Sequence, residues 1–130
     1  MRYYDVAMTS LAIDAPLKWI DNLLSQYQVT DVIAARRGVA RRVPHSALVR
    51  LALARELHVG VGLSVRDALE LAEQLLGGDG TGSAEVRRAS VRISCDRVAL
   101  ERSLERRLRD ALESAPSPRR GRPPTRGEKG

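Results

Sequence analysis

The first half of the chain contains two short stretches that are predicted to be helices, the first of them ending before Asp14. In the second stretch, Leu17, Ile20, Leu23 and Leu24 fall on one face. Pro16 suits the first turn of that helix, and Asp14 can cap its free amides. Polar side chains occupy the opposite face: Lys18, Asp21, Asn22 and Ser25. The pattern predicts a helix with a buried inner face and an outer face that is free to contact a partner.

Two longer helices are predicted from residue 45 onward. Residues 45–57 are apolar nearly all round, which is typical of a helix packed between layers. Ser64 can cap the next helix, which carries one apolar stripe and stops at Gly77. Together with the two short helices, these elements predict a helical domain over residues 1–77.

The rest of the chain follows a glycine-rich hinge at residues 78–84 and includes an element over residues 85–115. Alternating apolar and charged residues from Val86 to Ser94 predict one half-buried strand. The last helix is capped by Asp96 and carries a narrow stripe: Leu100, Leu104, Leu108 and Leu112. Such a stripe either docks on its own domain or forms half of a dimer. A single strand and one helix cannot bury their own apolar surface, so a homodimer is the favoured expectation.

The segment VIAARRGVARRV, residues 32–43, predicts an arginine hairpin in which Gly38 supplies the tight turn. Four arginines flank that glycine: Arg36, Arg37, Arg41 and Arg42. Guanidinium groups suit phosphate oxygens or a guanine edge, and their mutual repulsion favours a nearby anion. A solvated hairpin is the simpler alternative, but two arginine pairs about one glycine exceed what solubility requires.

With this order of elements, the chain over about residues 1–77 resembles the winged helix-turn-helix of the MerR superfamily and its small excisionase-like members. The matching residues are Leu11, Ala12, Pro16, Trp19, Gly38, Arg41, Arg42 and Val43, a helix beginning near His45, and Gly62, Leu63 and Ser64. The resemblance implies that the second helix enters the major groove, where Lys18, Asn22 and Ser25 face DNA, and that the arginine hairpin is a wing on the flanking phosphates. Asp21 and Ile20 depart from the more basic family pattern, which implies modest base readout.

The last fifteen residues, 116–130, lack apolar anchors and are predicted to be disordered when free. Their centre resembles the AT-hook, a minor-groove motif whose core is Arg-Gly-Arg-Pro: Arg119, Arg120, Gly121, Arg122 and Pro123. Glycine lets such a backbone enter a narrow groove, and the arginines point into the negative potential of A·T-rich DNA. The alternative is a basic solubilising tail.

Composition narrows the functional classes. Of the 130 residues, 43% are apolar, so a core is expected, and the net charge of +6 is concentrated in the hairpin segment and the tail. With one Trp and no Phe, stacking platforms for single strands or RNA are scarce. The lone Cys95 excludes an intramolecular disulfide and a cysteine-based zinc site. No apolar run approaches the roughly 20 residues that span a bilayer, and no His, Cys, Asp or Ser constellation predicts an enzyme, a metal site or a cofactor.

The sequence therefore predicts a mainly α fold with a small β component: a winged helix-turn-helix, a strand-helix appendage and a disordered tail. The expected function is that of a small cytoplasmic, nucleoid-associated regulator or architectural factor. Its partner would be double-stranded DNA, with an A·T preference in the tail and no membrane association. The alternative is a protein-interaction module, such as an antitoxin or adaptor, that binds a partner protein through its helical apolar stripes.

Overall fold

A computed structural model describes residues 2–33, 41–77 and 83–114, and these parts of the chain are mainly helical. Their helices are α1 (Val6–Ile13), α2 (Leu17–Gln26), α3 (His45–Glu56), α4 (Val65–Leu76) and α5 (Arg97–Ser114). Two small antiparallel sheets accompany them. One pairs β1 (Tyr3–Tyr4) with β2 (Val43–Pro44), and the other pairs β3 (Ser83–Arg88) with β4 (Val91–Asp96).

Helix α3 lies at the centre of the core. Seven of its residues are buried and come from every side of the helix: Ala47, Leu48, Val49, Leu51, Ala52, Leu53 and Ala54. Helices α1, α4 and α5 all pack against it. The predicted packing of this helix between layers is confirmed, because an α-helix without a polar face is stable only when neighbours cover it on several sides.

The turn between α1 and α2 differs from the prediction in the role of Asp14. Asp5 caps the start of α1 by accepting a hydrogen bond from the Met8 amide at 2.7 Å. Asp14 does not cap α2. Instead it ends α1 with a left-handed backbone, φ 55°, a conformation that Asp tolerates better than most residues. Pro16, with φ −61°, then precedes the first residue of α2, where no side chain caps the helix.

The base of the predicted arginine hairpin is present in the described residues. Ile33 and Arg42 exchange two backbone hydrogen bonds, of 2.9 and 3.1 Å. The chain then enters β2, which pairs with β1 near the amino terminus and leads without a break into α3. The hairpin base is therefore attached directly to the amino-terminal end of the central helix. Three residues of the predicted tip, Arg36, Arg37 and Gly38, lie outside the described residues.

The carboxyl end of α3 continues into a π-helical turn, Leu57–Val61, before the chain reverses. Gly62 has φ 90°, a backbone conformation that strains any residue with a Cβ atom. The Ser64 hydroxyl then accepts a hydrogen bond from the Asp67 amide at 3.1 Å. This is the predicted cap of α4, and α4 lies beside α3 with its apolar stripe in the core.

The predicted single strand is wrong, because residues 83–96 form a hairpin of two strands. The chain turns at Ala89 and Ser90, and Ala89 adopts a left-handed φ of 54°. Alanine is not a usual turn former, and a serine without glycine, proline or asparagine beside it is a weak turn signal, so the sequence does not predict a turn there. The first two residues of β3 also fall within the predicted hinge, whose residues 78–82 lie outside the described part of the chain.

Helix α5 docks on its own chain. Leu100, Leu104 and Leu108 are buried in the same core as α3, and α5 packs along α1, while Leu112 is 57% exposed. A hairpin and the helices of residues 1–77 provide the surface that one strand and one helix would lack. Three of the four leucines assigned to a dimer are thus covered without a second subunit. The homodimer stays a prediction that this packing does not require.

Replacing Leu104 with alanine should lower the free energy of unfolding by about 2–5 kcal/mol, because the substitution leaves a cavity in the core. The same change at Leu112 is the matched control, and it should cost less than about 1 kcal/mol because that side chain is already hydrated. Urea unfolding at two protein concentrations measures both values. A large, concentration-dependent loss for Leu112→Ala would show instead that the stripe is covered by another subunit.

Candidate nucleic-acid interface

The outer face of α2 is exposed as predicted. Ile20 and Leu23 are buried beneath it, whereas Lys18, Asn22 and Ser25 are exposed. Positions 18, 22 and 25 are separated by four and three residues, so their side chains line one side of the helix. The three candidate DNA-binding residues of this helix therefore share a single solvent-facing surface.

Arg41 joins the hairpin base to this face of α2. Its Nη1 lies 3.3 Å from Asp21 Oδ1, and its Nη2 donates to Ser25 Oγ at 3.0 Å. The Ser25 hydroxyl in turn donates to the Asp21 carbonyl at 2.8 Å. The Arg41 side chain is only 23% exposed. The guanidinium thus neutralises the one carboxylate of this face and fixes the hairpin base against the helix.

This contact changes the role expected of Arg41 and Ser25. Both were predicted to contact DNA directly, and both have their polar groups engaged with each other instead. Arg42 has the opposite environment, because its side chain is exposed while its backbone forms the hairpin bridge. Three candidates in the described part of the chain have exposed side chains that form no hydrogen bond or ion pair with another described side chain: Lys18, Asn22 and Arg42. Arg36, Arg37 and the whole AT-hook-like core, Arg119 to Pro123, lie outside the described residues.

A second set of polar contacts holds the segment between α2 and the hairpin. Arg50 of α3 is 15% exposed, and its Nε lies 2.9 Å from Glu73 Oε1 of α4. Its Nη1 lies 3.9 Å from Asp31. Neither buried nitrogen has a well-aligned hydrogen bond, so the contacts are ion pairs rather than directed bonds.

Two hydroxyl groups complete the Arg50 cluster. Thr30 donates to Glu73 Oε2 at 3.0 Å, and Ser46 donates to Asp31 Oδ2 at 3.2 Å. Asp31 itself has a left-handed φ of 72°. The cluster attaches the chain just before the hairpin to both α3 and α4. Sequence reasoning missed it, although one arginine inside an otherwise apolar stretch of α3 is a signal that a buried cation needs partners.

The amino-terminal end of α2 is held by Trp19. The Arg55 guanidinium carbon lies 4.8 Å from the centre of the indole, and the His58 ring stacks on it at 5.9 Å with an interplanar angle of 28°. His58 Nδ1 lies 2.7 Å from the Leu63 carbonyl oxygen, so this nitrogen carries a proton. His58 is thus a packing residue that supports the indole ring. Both ends of α2 are braced, one by Trp19 and the other by Arg41.

A groove of about 760 Å³ opens elsewhere, between the end of α3, β4 and α5. Its walls are largely apolar and include Leu53, Leu57 and Ile93. Cys95 lies on the same wall, and burial raises the pKa of its thiol, with a further increase from the carboxylates of Glu56 and Asp96. The thiol is therefore protonated at neutral pH, and Cys95 packs as a small buried apolar residue.

Among the residues that the structure describes, no group of three His, Cys, Asp or Glu side chains is arranged to hold a metal ion. None of the described helices is long and apolar enough to cross a bilayer. Comparison with known proteins gives no match: no protein-family model, curated protein or solved structure is significantly similar to this chain. The geometry of the surface is therefore the basis on which a function can be proposed.

Replacing Arg50 with methionine should lower the free energy of unfolding by about 1–2 kcal/mol. The expected loss is below that of a fully buried pair, because Asp31 and Glu73 are partly exposed and can be hydrated again. Arg66→Met on the exposed side of α4 removes the same charge and should cost less than about 0.5 kcal/mol. Adding Glu73→Gln to the Arg50 variant should restore part of the loss. Equal stability of Arg50→Met and the parent protein would contradict a stabilising role of the Arg50 cluster.

Proposed function

We propose that this protein binds double-stranded DNA through a winged helix-turn-helix, as a transcription regulator or as an architectural, excisionase-like factor. In this proposal α1 and α2 are the two helices of the motif, and the arginine hairpin after α2 is the wing. The observation that carries the proposal is the exposed face of α2, whose only carboxylate is neutralised by an arginine from the hairpin base.

The dimensions of α2 support this role. With its side chains an α-helix is about 10–12 Å across, which fits the major groove of B-DNA, about 12 Å wide; the ten residues of α2 extend over about 15 Å. The neutralised Asp21 matters because a free carboxylate on this face would repel phosphates. The order of elements, with two short helices followed by a hairpin and a buried helix, also agrees with the resemblance to the MerR superfamily.

Each exposed residue can be given a chemical role in the proposed complex. The Asn22 amide can pair with the N6 and N7 atoms of an adenine, and Lys18 can donate to a guanine or a phosphate. Arg42 and the tip residues Arg36 and Arg37 would contact the flanking phosphates, which supply affinity without sequence preference. Arg41 and Ser25 would position these groups rather than contact DNA themselves.

The tail would add a second, tethered contact. Arg120, Gly121 and Arg122 would follow the minor groove of A·T-rich DNA beside the site bound by α2. Tethering would raise the effective concentration of the tail at that groove. A protein of this kind would reside with the nucleoid in the cytoplasm.

The alternative, a protein-interaction module, has less support. It depended on helical apolar stripes that would be free to hold a partner protein. The stripes of α4 and α5 are instead largely buried in the core, where Leu75 and Leu104 are among the least exposed side chains. DNA binding is therefore the function that the exposed chemistry favours.

The double variant Lys18→Ala/Asn22→Ala should bind a duplex selected from a random pool at least about 30-fold more weakly than the parent, since each of the two lost base contacts costs roughly 1–3 kcal/mol. Arg66→Ala, a matched loss of one positive charge on α4, should change the affinity by less than about 2-fold. Fluorescence anisotropy at several salt concentrations measures both effects. Duplex binding that does not weaken as salt increases would contradict the proposal.

A further inference from the structure

The β3–β4 hairpin carries an unusual pair on its outer face. Arg87 lies directly opposite Arg92 in the antiparallel register, and Glu85 lies opposite Ser94. Both arginines are exposed, and the Arg92 side chain is 61% accessible. Directly opposed residues in such a ladder have Cβ atoms only about 5 Å apart. Two arginine side chains therefore leave the surface from neighbouring positions.

The inner face of the hairpin fixes this arrangement. Val86 and Ile93 are paired, and both pack against the core, in which Cys95 is buried. Strand β3 contacts α4 and α5, and β4 contacts α5. Because side chains alternate along a strand, burial of these residues forces Arg87 and Arg92 towards solvent. The arginines cannot separate by turning into the protein.

The charge balance of this face is incomplete. Like charges in directly opposed positions destabilise a hairpin. Arg92 is partly compensated by Glu85, whose Oε2 lies 3.6 Å from its Nε, but no ion pair in the described residues involves Arg87. Among the described contacts, a carboxylate thus compensates only one of the two guanidinium groups. A negatively charged partner that accepts hydrogen bonds from both guanidinium groups would relieve the repulsion, and phosphate oxygens have the geometry to do so.

We infer that Arg87 and Arg92 form a second contact surface for the sugar-phosphate backbone of duplex DNA. The inference rests on the proposed function and extends the interface beyond α2 and the arginine hairpin. The two surfaces are built on different elements. The first is formed by α2 and the arginine hairpin, and the second by β3 and β4. A duplex that reaches both surfaces gains two phosphate contacts, whereas a duplex limited to the α2 site gains neither.

The test compares Arg87→Ala/Arg92→Ala with Arg102→Ala/Arg106→Ala in the full chain. The second pair is exposed on α5 and removes the same charge, so it controls for net charge alone. The duplex contains the site bound by α2 and extends about 10 base pairs, one helical turn, beyond it on each side. The hairpin variant is Arg87→Ala/Arg92→Ala. For this variant, the slope of the logarithm of the binding constant against the logarithm of the salt concentration should become less steep by about 1.8, at about 0.9 for each lost phosphate contact. It should stay unchanged for the α5 variant.

Folding is checked by circular dichroism, and the hairpin variant should melt no lower than the parent protein, because a like-charge pair has been removed. A second variant, Glu85→Gln, removes the carboxylate that pairs with Arg92 and should strengthen binding to the extended duplex. On a duplex trimmed to the α2 site, neither the hairpin variant nor Glu85→Gln should differ from the parent.

Three results would overturn the inference in distinguishable ways. Salt-dependent binding of the parent with an unchanged slope in the hairpin variant removes the second surface and leaves the proposed function intact. Weaker binding to heparin without any change on the duplex shows a general polyanion surface instead of a DNA contact. No binding of duplex by the parent protein at low salt overturns the proposed function and the inference together.

Discussion

The burial of α3 on nearly every side is the constraint on which the rest of the structure depends. A helix with so few polar positions has to be covered by several neighbours, and α1, α4 and α5 provide that cover. The hairpin base enters α3 directly through β2, so its position follows from that of the central helix. The core therefore determines where the exposed face of α2 and the hairpin base lie relative to each other.

Five arginines in the described part of the chain have two kinds of environment, and this division shapes the candidate interface. Arg41 and Arg50 are largely buried and paired with carboxylates, so they connect elements instead of attracting ligands. Arg42, Arg87 and Arg92 are exposed. A count of positive charge along the sequence treats all five alike, yet only the exposed ones can neutralise phosphates. If the proposed function holds, the affinity for DNA should thus be smaller than the net charge suggests, and more dependent on where the duplex lies.

Local signals in the sequence were sufficient for much of the fold. The caps at Ser64 and Asp96 are confirmed, and so is the all-round burial of α3, because each depends on residues close together in the chain. Features that depend on distant partners could not be obtained in this way. The docking of α5 on α1, the Arg50 cluster and the Arg41 contact join residues that lie 15 or more positions apart, and the turn at Ala89 carries no glycine, asparagine or proline. At the candidate site, the exposed face of α2 was predictable from helical spacing, but the engagement of Ser25 by Arg41 was not.

Site-directed DNA cleavage can report whether the outer face of α2 enters the major groove, as we propose. A cleavage reagent is attached at Asn22→Cys in a Cys95→Ala background, and a matched protein carries it at Glu105→Cys on the exposed side of α5. We predict one cluster of cuts within the bound site when the reagent is attached at position 22, and none there when it is attached at position 105. Cuts within the site from position 105, without any from position 22, would contradict it.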